Sequence, residues 1–359
     1  MENLITARRK YISEFLESDT SMPKVIANLV SIDDYCLQEK IHVLDESIKT
    51  KREGIIECIA ELPDGRIVGG LNIINNIGGI IKIWDLKIGV CEQQQKYDEY
   101  AFVRSVVHLL AGQILIALGP CILEFGFNNI SHYNVWKFCI VEHIVIVQPE
   151  GTIVYTNSSH DGLNICTKMK DIKDMRNNVL PLKIDKHPDL QSISCMVALL
   201  DGRIATGHRS QGHNGKIAIW DIKTGKIDII LTGHTDTVKC IIAISNRIII
   251  SGSSDSKIKI WDLVEEKCIQ TLHGHSHSVA CIAKLPDGRL ISGSYDSTLR
   301  IWCLKEGNWY RDNYQDIDEY DGTSVVIFED KEPTPITKIL VHSNGQIFFV
   351  SRDIIRVFS

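Results

Sequence analysis

"SGSSDSKIKIWD" occupies residues 251–262, and a closely similar stretch, "SGSYDSTLRIWC", follows at residues 292–303. The second stretch begins 41 residues after the first. Self-similarity at a period of about 20 to 50 residues is the signature of architectures in which one supersecondary unit is repeated along the chain. We therefore expect most of the chain to consist of copies of one unit.

The position of the tryptophan near the end of each stretch can be followed through the rest of the chain. The residues at this place are Trp84, Phe125, Cys166, Trp220, Trp261, Trp302 and Phe358. A short turn between two apolar strands recurs with them, at 62–66, 110–113, 149–152, 200–203, 245–247, 286–289 and 343–346. Gly, Asn and Asp in such turns supply the positive φ that tight hairpins require. Both markers predict seven repeats.

Each repeat is predicted to contain four short strands, because side chains alternate in stretches such as "KIKIWD" as they do in half-buried strands. The repeats carry GH at 233–234 and 274–275 and WD at 84–85, 220–221 and 261–262. These motifs resemble those of the WD-repeat family. Over residues 40–359 the resemblance implies an all-β fold, a seven-bladed β-propeller. It implies little about function, because one fold hosts many functions.

The two ends of the chain suggest how the ring is closed. The last repeat stops at its third strand, which would leave an open sheet edge. "KIHVLD" at 40–45 alternates like a strand and precedes the first complete repeat. We expect residues 40–45 to pair with the C-terminal blade and supply its missing strand.

Residues 1–39 are predicted to form a short α-helical extension, because apolar residues such as Leu4, Tyr11 and Phe15 recur at helical intervals. "MPKVIANLVSIDDYCL" at 22–37 resembles the opening of an F-box, a helical motif that joins substrate-binding propellers to ubiquitin-ligase scaffolds. The match is too short for a whole box. A helical cap on the ring, or a docking helix for a partner, is the favoured interpretation.

The repeated polar residues allow a catalytic and a structural interpretation. Ser251, His234 and Asp255 are the residue types of an acyl-transfer triad. The same set returns 41 residues later, and a catalytic site is needed once whereas a brace is needed in every blade. By resemblance to the family, two buried hydrogen-bonded networks are expected: His234, Ser251, Asp255 and Trp261, and His275, Ser292, Asp296 and Trp302. In the fourth repeat only Thr206 and Trp220 match, because an insertion displaces the aspartate.

Two sets of residues raise the question of a metal site. The cysteines at one place in four repeats are Cys58, Cys195, Cys240 and Cys281. Cysteines on separate blades lie too far apart for tetrahedral zinc, so core packing is favoured. "HGHSH" offers His273 and His277, but His275 between them is assigned to the brace. We predict no metal and no cofactor.

The expected docking surface is the propeller face that holds the GH segments and the loops between second and third strands. The candidates for partner binding are His208, Arg209, His213, His277, Tyr295, Trp309 and Tyr310. The last two belong to an acidic stretch rich in aromatic residues at 305–322, and aromatic residues often dominate binding energy. The alternatives are ordinary loop variation and a solvated hairpin extension.

Composition limits the function classes. The net charge of -6 offers no general attraction to nucleic acid or anionic membranes. The eleven cysteines lack zinc-type spacing, and no signal peptide or spanning segment is evident, so the cytoplasm is expected, with the nucleus as an alternative. We predict a monomeric, non-enzymatic scaffold that binds partner proteins or peptides. The alternatives are a ubiquitin-ligase substrate receptor and, third, an enzyme, which lacks support from a GxSxG, HExxH or phosphate-loop motif.

Overall fold

A computed structural model describes part of the chain, and its residues from Ile41 to Ser359 form one compact unit. The ranges it describes are 41–43, 54–73, 78–85, 90–97, 102–108, 113–119, 121–126, 133–137, 141–147, 152–157, 162–166, 182–185, 190, 192–209, 214–302, 324–329, 334–351 and 354–358. The helical extension predicted for residues 1–39 lies outside them. No helix long and apolar enough to cross a membrane is found among these ranges.

The described residues are all-β, as predicted, and contain seven four-stranded antiparallel sheets. The first sheet contains β2 (Ile55–Glu61), β3 (Ile67–Asn72), β4 (Gly79–Asp85) and β5 (Val90–Tyr97). The second contains β6 (Val103–His108), β7 (Gln113–Leu118), β8 (Cys121–Gly126) and β9 (Tyr133–Lys137). The third contains β10 (Val141–Val147), β11 (Thr152–Asn157), β12 (Gly162–Cys166) and β13 (Leu182–Asp185).

The fourth to seventh sheets follow in chain order. The fourth contains β14 (Ile193–Ala198), β15 (Ile204–His208), β16 (Gly215–Asp221) and β17 (Lys226–His234). The fifth contains β18 (Val238–Ala243), β19 (Ile248–Ser253), β20 (Ile258–Asp262) and β21 (Lys267–Leu272). The sixth contains β22 (Val279–Lys284), β23 (Leu290–Ser294), β24 (Thr298–Trp302) and β25 (Ser324–Glu329). The seventh contains β26 (Ile336–Val341), β27 (Ile347–Ser351), β28 (Ile354–Phe358) and β1 (Ile41–Val43).

The seventh sheet joins distant parts of the chain. β1 pairs antiparallel with β28, with Ile41 opposite Phe358 and Val43 opposite Arg356. The other six sheets each consist of four strands consecutive in sequence. Pairing with β1 satisfies backbone groups of β28 that would otherwise form an open edge.

Consecutive sheets pack through their first strands. β2 contacts β6, and the series continues through β10, β14, β18, β22 and β26, which in turn contacts β2. The second strands are buried on both faces, which explains continuous apolar runs such as "III" at 248–250, directly before Ser251. Apolar clusters span neighbouring sheets: Leu199 and Ala205 of the fourth share one with Ile249 and Trp261 of the fifth. Complete burial of a leucine or isoleucine side chain contributes about 1.5–3 kcal/mol.

A bulge near the start of each first strand brings neighbouring sheets close together. In the fifth sheet it lies between Val238 and Cys240, and Cys240 then pairs with Gly252. A methyl group at Gly252 would lie 2.7 Å from Cγ1 of Val279 in the sixth sheet and 2.8 Å from Sγ of Cys240. The small pair therefore makes room for the next sheet. Three other sheets repeat this with the pairs Cys58 and Gly70, Cys195 and Gly207, and Cys281 and Gly293.

The cysteine side chains are packing elements in this arrangement. Burial raises the pKa of Cys58, Cys195 and Cys281 to about 12, so these thiols are protonated at neutral pH. Within the described ranges no cluster of three His, Cys, Asp or Glu side chains could hold a metal ion.

Candidate functional site

The polar network of the fifth sheet begins in the fourth. His234 ends β17, and its Nε2 lies 2.8 Å from Oγ of Ser251 in β19. Nε1 of Trp261 donates to the same Oγ at 2.8 Å. Nδ1 of His234 lies 2.7 Å from Oδ2 of Asp255. The structure thus brings together all four residues of the first predicted network, and the network ties one sheet to the next.

The sixth sheet repeats this geometry. His275 follows β21 of the fifth sheet, with Nε2 2.7 Å from Oγ of Ser292 and Nδ1 2.8 Å from Oδ2 of Asp296. Nε1 of Trp302 donates to Oγ of Ser292 at 2.7 Å. The hydroxyl of Thr298 adds a bond to Oδ1 of Asp296 at 2.7 Å. Every residue of the second predicted network therefore takes part.

The direction of these hydrogen bonds follows from chemistry. An indole N–H only donates and a carboxylate only accepts. Oγ of Ser251 therefore accepts from Trp261 and its O–H donates to Nε2 of His234, whose Nδ1–H donates to Asp255. The carboxylate therefore fixes Nδ1 of His234 as a hydrogen-bond donor. A chain in which every member is satisfied is stable in an apolar interior.

The aspartate in each chain is held as a carboxylate. Burial raises the pKa of Asp255, but hydrogen bonds from His234 and from the backbone N–H groups of Thr235 and Lys257 outweigh it and place that pKa below its ordinary value. For Asp296 the opposing effects are burial and the bonds from His275 and Thr298, and the pKa is well below the ordinary value. Both carboxylates are ionised at neutral pH.

The fourth sheet has a variant of this network that changes the assignment of His208. Nε1 of Trp220 donates to Oγ1 of Thr206 at 2.7 Å, and Oγ1 lies 2.8 Å from Nε2 of His208. His208 is only 2% exposed. The prediction that His208 projects into the docking surface is therefore wrong. Because His208 lies two residues after Thr206 on β15, both side chains lie on the same, buried face.

The hydroxyl groups of the two networks are unsuited to nucleophilic attack. Ser251 and Ser292 are fully buried, at 0% exposure, and their partners His234 and His275 are buried with them. A nucleophile must be reachable by substrate and must face oxyanion-stabilising donors. The geometry favours a brace between consecutive sheets.

The remaining surface candidates lie at one end of the fourth to sixth sheets. Arg209, Ser254 and Tyr295 each directly follow a second strand, and their backbone N–H groups donate to the carbonyls of Ser192, Thr237 and Ser278, each at 2.9 Å. Tyr295 is 42% exposed and stacks on His277, with ring centroids 5.8 Å apart. We call the exposed residues Arg209, Lys239, His277 and Tyr295, with Ser254 between them, the inner rim.

The structure describes only some of the other residues that were predicted to bind a partner or a metal. His213, Trp309 and Tyr310 lie outside the described residues, as does the acidic aromatic stretch at 305–322. His273 and His277 are exposed while His275 is buried in the brace, so the three histidines of "HGHSH" do not face one site.

One polar contact was not predicted from the sequence. His342 follows β26, and its Nε2 donates to the carbonyl of Gly65 in the first sheet at 2.8 Å. The backbone N–H of Ser343 donates to Oε2 of Glu61 at 3.0 Å, and the Ser343 hydroxyl also bonds this carboxylate. His342 is buried at a place where Leu62, Leu199 and Leu285 stand in other sheets, as its turn hydrogen bond shows. A histidine at a position where three other repeats have leucine was the sequence signal that could have indicated this contact.

The fold and the braces define a class of protein: repeated four-stranded sheets joined by buried histidine, serine, aspartate and tryptophan networks. Comparison with known proteins agrees. The family profile described as "WD domain, G-beta repeat" matches residues 225–262 and 266–303. Among solved structures, the crystal structure of the WD40 β-propeller domain of Doa1 is similar with a TM-score of 0.60 and 17% identity, covering 86% of this chain and 93% of that chain. No curated protein matches the sequence significantly.

These findings confirm the resemblance to the WD-repeat β-propeller family. Each matched range runs from the last strand of one sheet through the third strand of the next, and therefore contains one complete brace. At 17% identity the structural similarity concerns the fold alone. WD40 propellers generally mediate protein–protein interactions and are typically non-enzymatic.

Proposed function

We propose that the seven sheets are the blades of one closed propeller over residues 40–359, preceded by a helical extension at 1–39. The protein then acts as a monomeric, non-enzymatic scaffold that binds partner proteins or peptides in the cytoplasm. The contact of β26 with β2 and the pairing of β1 with β28 support closure. Residues 22–37 lie outside the described ranges, and no structural observation favours the ubiquitin-ligase alternative.

The observation that carries the proposal is the contrast between buried and exposed polar residues. The residues of a hydrolase triad are buried in the braces, while Arg209, His277 and Tyr295 are exposed on one rim. Exposed aromatic and arginine side chains on a rigid scaffold are the residue types that dominate binding hot spots. The inner rim is therefore the proposed docking surface.

Cross-linking capture from cell extract tests the proposal. The double variant Arg209→Glu with Tyr295→Ala is compared with wild type and with Leu200→Ser, a residue 72% exposed at the turn on the opposite end of the fourth sheet. We expect partners that wild type and Leu200→Ser retain and the double variant loses. Identical capture by all three proteins, each with an unchanged melting temperature, would refute binding at the inner rim.

A further inference from the structure

The inner rim is continuous across three sheets. A methyl group at Gly207 would lie 2.8 Å from Cγ1 of Val238, so the end of β15 touches the start of β18. Arg209 lies two residues after Gly207, and Lys239 is next to Val238, so the two cations belong to adjoining sheets at the same end. Between the fifth and sixth sheets, the Ser278 hydroxyl donates to Oγ of Ser254 at 3.3 Å. A ligand can therefore contact all three sheets at once.

The positive charges on the inner rim are more available to a ligand than the negative charges near it. Arg209 and Lys239 are exposed, and neither has an ion-pair or hydrogen-bond partner for its side chain in the part of the chain that the structure describes. Asp255 and Asp296 are occupied by His234 and His275 within the braces. Asp236 is exposed at this end and accepts the backbone N–H of Thr237 at 2.6 Å. Glu329 lies at the same end but on the outermost strand of the sixth sheet.

The aromatic part of the rim is preorganised. Tyr295 is fixed by the bond from its backbone N–H to Ser278, and its ring is nearly parallel to that of His277, at 22°. A ring held in place loses little conformational entropy when a ligand packs on it. An apolar or aromatic ligand side chain can use the exposed part of this ring.

We infer that the inner rim binds an acidic peptide segment in extended conformation, with carboxylates at Arg209 and Lys239 and an apolar side chain on Tyr295. Guanidinium groups bind carboxylates in a bidentate fashion, and unpaired surface cations make no competing bond that must first be broken. Two cations are few for a nucleic acid, whose binding depends on many phosphate contacts. This inference rests on the proposed function, because it names the class of partner for the same surface.

The test is fluorescence anisotropy with the full chain and a fluorescein-labelled peptide of glutamates around one central phenylalanine. The lysine counterpart of this peptide and a labelled oligouridylate are the comparison probes. We expect saturable binding of the acidic peptide that weakens with salt, and about a tenfold loss for Arg209→Glu. Asp236→Asn is expected to bind more tightly, because it removes an exposed carboxylate at this end of the sheets.

The matched control is Lys223→Glu, the same change of charge at an exposed turn between β16 and β17 on the opposite end. Its affinity for the acidic peptide should fall much less than that of Arg209→Glu. Equal losses in both variants, preference for the lysine peptide or the oligouridylate, or no saturable binding would each overturn the inference. If the double variant still loses captured proteins while the acidic peptide fails to bind wild type, the docking surface stands and the acidic ligand class is wrong.

Discussion

At Ser251 a single hydroxyl group joins two side chains, since it accepts from Trp261 and donates to His234. Ser251→Ala would leave a buried indole N–H and a buried imidazole nitrogen without their partner. We expect the free energy of unfolding to fall by about 2–4 kcal/mol, because each unsatisfied buried group costs about 1–3 kcal/mol. Urea denaturation followed by circular dichroism measures this change.

Ser276→Ala is the matched control, because this serine is exposed and only its backbone N–H bonds Asp296. Its stability should change by less than about 0.5 kcal/mol. If Ser251→Ala were as stable as Ser276→Ala, the hydroxyl would have no bracing role.

The lowered pKa of Asp255 predicts a pH dependence. Since the folded-state pKa lies below the unfolded value of about 3.9, the carboxylate stabilises the fold fully above that value, and the contribution is lost as the pH falls through the folded-state pKa. Asp255→Asn should therefore lower the melting temperature at neutral pH and flatten its decrease in acid. Melting curves between neutral pH and about pH 3 test this. Parallel curves for both proteins would exclude Asp255 as a source of the acid sensitivity.

The two complete braces could be predicted because their residues repeat at a spacing of 41. The place of His208 could not be found in this way, since its partner Thr206 lies on the same strand and no other repeat has a histidine there. Alternation along a strand was the signal, because residues two apart share a face. In the fourth sheet the histidine that bonds the hydroxyl comes from the same strand, so the hydrogen bonds resemble those of the other braces although the spacing of the residues differs.

At the scale of the strands, a close contact between sheets depends on glycine. Gly252→Ala should destabilise the protein by about 1–3 kcal/mol, because the new methyl group would meet Val279 and Cys240 well inside van der Waals distance. Val279→Ala removes buried methyl groups and is destabilising by itself, but it also makes room, so the double variant should lose less stability than the sum of the two single losses. Thermal and urea unfolding of the single and double variants measure both effects.

Gly126→Ala provides the comparison, since nothing lies within 4 Å of a methyl group at Gly126. It should be nearly neutral. If both alanine variants were equally stable, steric crowding at Gly252 would be ruled out as the reason for glycine there.

The strands and turns could be predicted well because alternation and turn residues are local signals. The residues at the tryptophan place illustrate this: Phe125 and Cys166 pair with Ile114 and Ile153 just as Trp220 pairs with Ile204. The contact between sheets was less evident. Cysteine and glycine stand 12 residues apart in four repeats, and only the bulge shows that this spacing places them side by side.

At the scale of the whole molecule, β1 is the strand on which closure is proposed to depend. Deletion of residues 40–47 should lower the melting temperature strongly, because β28 would lose its antiparallel partner. Differential scanning calorimetry of the deletion variant and the full chain measures the shift. An unchanged melting temperature would contradict the closure model.

The contact of His342 and Ser343 with Gly65 and Glu61 shows what sequence reasoning could not supply. The bonded residues lie more than 270 positions apart, with a separation of 277 between His342 and Gly65. No periodicity links a residue in the last sheet to one in the first. The contact is visible only once these two sheets lie side by side.

The pairing of β1 with β28 also bears on synthesis at the ribosome. Ile41 is made early, but its partner Phe358 emerges only after every intervening sheet has been translated. During that interval β1 has an unpaired edge that other nascent strands or chaperones can bind. Premature termination before β28 would therefore release a chain in which β1 has no native partner. The exposed strand recognised by cellular quality control would then lie near the start of the chain, although the missing residues are at its end.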